Sequence, residues 1–157
     1  MIVGRAPLIE RIRRHPLMRA LRVDKMTYAA LEATLTEYAA GRATETVPVQ
    51  RMLTTTPDAV RIRADALTAA VGTRPGRRLD VIPGLSAIGG GSAPGVELPT
   101  WLIAIAIDAL SADALETRLR QMTPPLVGRI EDGRVLLDLR TVSPDQDALV
   151  VTALSGL

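Results

Sequence analysis

The chain has 157 residues, 47% of them hydrophobic and 23% charged, which suits a globular protein with a real core and excludes intrinsic disorder. Nineteen basic against 17 acidic residues leave a net charge of +2, and the aromatic share is 2% with no Phe, so neither the global field nor a supply of stacking rings marks a single-strand RNA reader. Zero Cys removes disulfides, thiolate catalysis and thiolate metal sites, the lone His15 excludes a histidine-rich metal site, and no apolar run approaches the ~18 to 20 residues of a membrane span.

A cytoplasmic protein without a membrane partner is therefore expected, since Met1-Ile2-Val3-Gly4-Arg5 also lacks the organisation of a signal peptide. Ile2-Val3-Gly4 reads like the tail of a β-strand with no partner before it, which suggests a fragment. Pro7 suits a first helical position, and Leu8, Ile9 and Ile12 give a short apolar face opposed by Arg11, Arg13 and Arg14 until Pro16 stops the helix. Those arginines read as a solvated face, with contact to a nucleic-acid backbone as the other reading. Asp24 can cap a second helix whose Tyr28, Leu31, Leu35 and Tyr38 form a stripe of core or interface before Gly41.

Thr44 to Thr56 is a polar connection with one helical turn after Pro48. Thr56-Pro57-Asp58 then opens a helix through Val60, Ala64, Leu67 and Val71 that ends at Gly72. Strands are expected over 78–82 and from Leu98 to Ile107, the latter buried on both faces, with a glycine-rich loop between them. Ser111 caps a helix through Leu115, Leu119 and Met122, and Pro124-Pro125 ends it. Asp132-Gly133 is a two-residue turn joining strands 126–131 and 134–139, and Ser143-Pro144-Asp145 starts a C-terminal helix with Leu149, Val150 and Leu154. The fold class is α+β: N-terminal helices over residues 1–75, then a small mixed or antiparallel sheet with helices on one face over residues 76–157.

Arg19 and Arg22 are three apart, so on a helix both guanidiniums would share a face and could converge on one phosphate-like anion; the same spacing also occurs on plain solvent-facing helices. Gly89 to Gly91 with Ser92 could form a backbone nest for phosphate, but the spacing of a phosphate loop is missing, and a structural loop is the better reading. Glu97 reads as a paired charge beside Trp101, and His15, held extended before Pro16, marks a helix end. Arg129, Arg134 and Arg140 on or beside the hairpin read as surface arginines, and Asp108 and Asp138 have no partner at a spacing that argues for acid–base work.

Three ordered motifs carry a resemblance: His15 to Lys25, the Gly89 to Trp101 loop, and the hairpin from Gly128-Arg129-Ile130-Glu131-Asp132 to Asp138-Leu139-Arg140-Thr141. Together they resemble the C-terminal part of the bacterial L-seryl-tRNA(Sec) selenium transferases, or selenocysteine synthases, over essentially the whole chain. The resemblance implies a fold-type-I pyridoxal-phosphate enzyme that converts seryl-tRNA(Sec) to selenocysteinyl-tRNA(Sec) with selenophosphate as donor, and that forms a large homo-oligomer. It implies that Arg19 and Arg22 bind selenophosphate or a related anion. In this family the cofactor lysine sits in a Ser-Gly-Asp-Lys motif, which this sequence lacks, so Lys25, the only lysine, reads as a first-turn helix residue or salt-bridge partner and the fragment alone is expected to be inactive. Two alternatives remain at this stage: a related pyridoxal-phosphate lyase or transferase acting on a small amino acid, and a non-enzymatic RNA-binding or assembly module.

Overall fold

A computed structural model describes residues 2–89 and 93–157. The chain divides into two compact units, Met1–Val47 and Pro48–Leu157.

The first unit is helical. Helix α1 spans Ala6–Arg14 with Pro7 in its first turn, where the missing N–H leaves no bond unmade. A 3₁₀ turn, Pro16–Arg19, follows, then α2, Lys25–Ala39, and the short α3, Ala43–Thr46. Asp24 caps α2 as its residue type suggests, its carboxylate accepting from the Thr27 N–H at 2.8 Å, and Gly41 beyond the helix end has φ +71°. Among the described apolar residues of this unit only Ala43 is buried; Leu8, Ile12, Leu17 and Leu21 and the α2 stripe of Tyr28, Leu31, Leu35 and Tyr38 are all exposed. The stripe is thus no core of this unit.

The second unit opens with α4, Pro48–Thr54, and α5, Pro57–Val71, whose N-cap Thr56 accepts from Ala59 N–H at 3.2 Å. Strands β1, Arg77–Ala87, and β2, Glu97–Ile107, form a long hairpin; α6, Ala112–Arg120, precedes the short hairpin of β3, Arg129–Glu131, and β4, Arg134–Asp138; α7, Asp147–Ser155, closes the chain. The sheet order is β1-β2-β4-β3, antiparallel throughout. Alternation along the strands sends Ile103, Ile105, Val135 and Leu137 to one face, where they pack with Val60, Ala64 and Leu67 of α5, Leu115 and Leu119 of α6, and Val150 and Leu154 of α7. Leu102, Ala104, Leu136 and Ile82 cluster on the other face. As expected, β2 is buried on both sides, and the helices Val60, Leu115 and Leu154 belong to cover one face of an α+β sheet.

Several boundaries differ from the sequence expectation. Strand β1 continues five residues past Ile82, through Pro83 and Gly84. It is an edge strand, so proline's missing N–H can be tolerated there. Gly84 lies under Leu102, whose Cδ1 would be 2.3 Å from an added Cβ. The expected strand 126–131 shrinks to Arg129–Glu131, because the Leu126 N–H turns back to the Leu119 carbonyl at 3.0 Å. Asp132 and Gly133 have φ +49° and +70°, the positive values the two-residue turn requires. Ser143 does not cap a helix through its side chain; Pro144–Gln146 is a 3₁₀ turn and α7 begins only at Asp147.

Gly128 has no room for a side chain: an added Cβ would lie 2.6 Å from Val135 Cγ1 and 2.9 Å from the Leu136 carbonyl oxygen. Since the second neighbour is backbone in the central ladder, Gly128→Ala is expected to destabilise the fold by about 1–3 kcal/mol. A urea unfolding midpoint equal to that of the wild type would contradict this packing.

Candidate functional site

The segment that carries Arg19 and Arg22 is not a helix. Pro16 starts a single 3₁₀ turn that ends at Arg19, and the His15 imidazole caps it, Nδ1 accepting from the Leu17 N–H at 3.2 Å. Asp24 must be extended to cap α2, with ψ 173°, so residues 22–24 cannot continue a helix into it. The two arginines are joined instead by a turn, in which the Arg22 N–H donates to the Arg19 carbonyl at 3.4 Å. They therefore sit at the two ends of one turn, and the expectation of one shared helical face is replaced by a non-helical arrangement. Both are exposed, and neither takes part in a salt bridge among the described residues.

Asp24 fixes where this segment ends. The Thr27 N–H, with the Thr27 hydroxyl at 3.1 Å, holds its carboxyl below the ordinary carboxylate value. A lowered folded-state value means that the cap contributes fully above the ordinary aspartate range and is lost as pH falls through the lowered value. His15, with one ring nitrogen accepting from backbone, serves as a cap, as its place at the end of α1 suggests.

Lys25 is exposed and is the first residue of α2, beside the Asp24 cap. An amine that forms a Schiff base needs a neighbouring pocket or cation to lower its pKa. With this single, solvated lysine the residues of the chain do not fit pyridoxal phosphate.

The second unit holds a buried polar cluster that sequence spacing did not reveal. Arg140, expected at the surface, is buried. Its Nη1 donates to the carbonyls of Met52 at 2.9 Å and Thr55 at 2.5 Å, its Nη2 to Pro99 at 2.7 Å, and its Nε to the Ser86 hydroxyl at 3.1 Å. Asp138 completes the cluster, accepting from Ser86 Oγ at 2.5 Å, Thr100 Oγ1 at 3.1 Å and the Arg140 N–H at 3.0 Å. The guanidinium thus closes the end of α4 and ties it to the facing ends of β1 and β2. With its donors turned to protein acceptors, Arg140 has a structural role and does not present a fork to a substrate carboxylate.

The remaining candidates lie apart from one another. Arg129 bonds Glu131 at 3.2 Å and the Leu85 carbonyl at 3.1 Å, and Arg134 opens β4. Glu97 begins β2 exposed and makes no salt bridge among the described residues; the charge beside Trp101 is Arg61, 4.3 Å from the ring centroid. Gly89 has φ +103°, whereas Gly90, Gly91 and Ser92, the rest of the nest considered above, lie outside the described residues. No helix among the described residues is long and apolar enough to cross a membrane.

Comparison with known proteins gives a consistent set of similarities. A sequence model of the L-seryl-tRNA selenium transferase family matches residues 1–143. The chain is 45% identical to the L-seryl-tRNA(Sec) selenium transferase of Geobacter sulfurreducens over 160 aligned residues, covering 100% of the chain and 35% of that protein. It is 48% identical to that of Nitratidesulfovibrio vulgaris, covering 98% of the chain and 34% of the relative, and 45% identical to that of Aquifex aeolicus, covering 90% and 31%. The chain spans about a third of the length of the curated relatives it matches.

Replacing Arg140 removes the donors to the Met52, Thr55 and Pro99 carbonyls and to the Ser86 hydroxyl that in turn bonds Asp138. Arg140→Met is therefore expected to lower unfolding free energy by about 3–5 kcal/mol, as for removal of one member of a buried charged network. Arg140→Lys should recover little, because a single ammonium cannot span the same acceptors. Denaturant titration of both variants checks this; a Lys variant as stable as wild type would contradict the fork geometry.

Proposed function

The chain belongs to the L-seryl-tRNA selenium transferase family, and from that premise we propose that it is the C-terminal part of an enzyme converting seryl-tRNA(Sec) to selenocysteinyl-tRNA(Sec) with selenophosphate as selenium donor. The observation that carries the proposal is the exposed turn that places Arg19 and Arg22 at its two ends without an ion-pair partner among the described residues. A tetrahedral oxyanion offers several acceptors. Two planar guanidiniums can each donate a pair of N–H groups to it, which a single lysine in either place could not do. The role proposed for this chain is to hold the donor anion by its phosphate oxygens and orient it.

Pyridoxal phosphate is the cofactor of the proposed reaction, and it would be held by the remainder of the longer polypeptide. Lys25, exposed at the first residue of α2, does not fit the anchoring role. Assembly into a homo-oligomer, in the cytoplasm, is part of the same proposal. The exposed α2 stripe of Tyr28, Leu31, Leu35 and Tyr38 supports a covering partner in the whole protein.

Two measurements follow. Titration of the 157-residue chain with inorganic phosphate should shift the Nε–H resonances of Arg19 and Arg22 together, and Arg19→Gln or Arg22→Gln should weaken the response at least about tenfold, the loss of one charge-assisted pair. Shifts centred on other arginines would contradict the assignment. Incubation with pyridoxal phosphate should give no turnover and no aldimine absorbance that survives removal of the free cofactor; a stable internal Schiff base on Lys25 would overturn the division of labour.

A further inference from the structure

His15 is the only histidine of the chain, and its ring stands where the segment carrying Arg19 and Arg22 begins. Pro16 holds the His15 backbone extended, with φ −71° and ψ 135°, which is the geometry an N-cap residue needs. A backbone N–H can only donate, so the Nδ1 that receives the Leu17 N–H at 3.2 Å carries no proton, and the proton of the neutral ring is on Nε2. The same residue holds the turn through its main chain, its carbonyl accepting from the Met18 N–H at 2.9 Å.

Leu17 passes this restraint along the chain. Its N–H is fixed by the imidazole, and its carbonyl accepts from the Ala20 N–H at 3.0 Å and the Leu21 N–H at 3.3 Å. Arg19 then closes onto Arg22 through the 3.4 Å bond that forms the turn of the pair. One ring nitrogen therefore heads a short run of hydrogen bonds that ends at both guanidinium-bearing residues. A 3₁₀ turn of four residues has few bonds of its own, so the loss of its first is felt along its length.

We infer that His15 is a positioning residue for the anion site, holding the Arg19–Arg22 turn in place only while its imidazole is neutral. The inference rests on the reading of that pair proposed above and adds to it a condition of protonation. A proton on Nδ1 would face the Leu17 N–H, two donors with no acceptor between them, and the cap would be lost. Asp, Asn, Ser or Thr would cap as well and keep one charge state near neutrality, whereas an imidazole changes charge there. The charged groups on the elements beside the ring are Glu10, Arg11, Arg13 and Arg14 of α1 and Arg19 of the turn, and Arg11 lines the same groove as the imidazole. The arginines keep their charge throughout this range. An imidazolium would also add attraction for an anion, an effect of opposite sign. Loss of the cap weakens anion binding on acidification, whereas added charge alone strengthens it.

The test titrates sulfate, which stays a dianion, into the 157-residue chain between about pH 5.5 and 7.5 at about 0.15 M salt, reading the Nε–H resonances of Arg19 and Arg22. Affinity should fall about threefold to tenfold as the pH is lowered, the worth of one cap. His15→Asn, whose side-chain oxygen can accept from the Leu17 N–H without titrating, should bind like the wild type at the upper pH and keep that affinity at the lower. His15→Ala should bind more weakly than the wild type at the upper pH and change little below it. The ring nitrogen chemical shifts at the upper pH should place the proton on Nε2. Affinity that rises on acidification, an Asn variant with the pH profile of the wild type, or a ring protonated on Nδ1 at the upper pH would each overturn the inference. A response of Arg19 and Arg22 that is flat with pH removes the role of His15 and keeps the anion site; no response of either arginine to sulfate at any pH removes both.

Discussion

The second unit depends on a single buried cation. Arg140 leaves the end of β4, and its guanidinium reaches the carbonyls of Met52, Thr55 and Pro99 and the hydroxyl of Ser86, so the end of α4, both strands of the long hairpin and the sheet centre are joined at one point. Burying that charge is unfavourable unless its donors are met, and here Asp138, acting through Ser86 and Thr100, supplies a nearby negative charge. The apolar core beneath, from Val60 to Leu154, sets how strongly the layers adhere, while the polar point sets how they are aligned.

The first unit is built on a different balance. Pro7 opens α1, His15 caps the 3₁₀ turn and Asp24 caps α2, yet among the described residues these elements bury almost no apolar side chain of their own. Short helices without a packed face are marginal in water, so the exposed stripes on α1 and α2 mark surfaces that gain from being covered. The same unit carries the unneutralised positive charge and the Arg19–Arg22 turn. One unit thus holds the buried core, and the other holds an excess of exposed positive charge.

What the sequence disclosed and what it concealed follow from the range of the interactions. Caps and turns are decided within four residues, so Asp24, Thr56, Ser111 and Asp132-Gly133 mark their elements correctly. The near-continuous apolar run along 98–107 likewise marks a strand buried on both faces. The path of β1 through Pro83-Gly84 was hidden, because those residues are loop punctuation by type and only the edge position and the Leu102 contact make them strand. Arg140 was hidden for a stronger reason: its partners lie 41 to 88 residues away, and nothing local distinguishes it from Arg134. The Arg19–Arg22 pair was proposed from family resemblance. Its backbone shape was not, because the demand of Asp24 for an extended residue overrides the helical reading of the spacing.

We propose that Arg19 and Arg22 together grip one tetrahedral oxyanion. An anomalous-difference map from crystals of the chain soaked with selenate reads this directly. A selenium peak is expected at the Arg19–Arg22 turn, with oxygens in hydrogen-bond reach of both guanidiniums. Occupied selenate sites elsewhere with none at the turn, or guanidiniums directed to opposite sides of it, would show that the pair does not act on one anion.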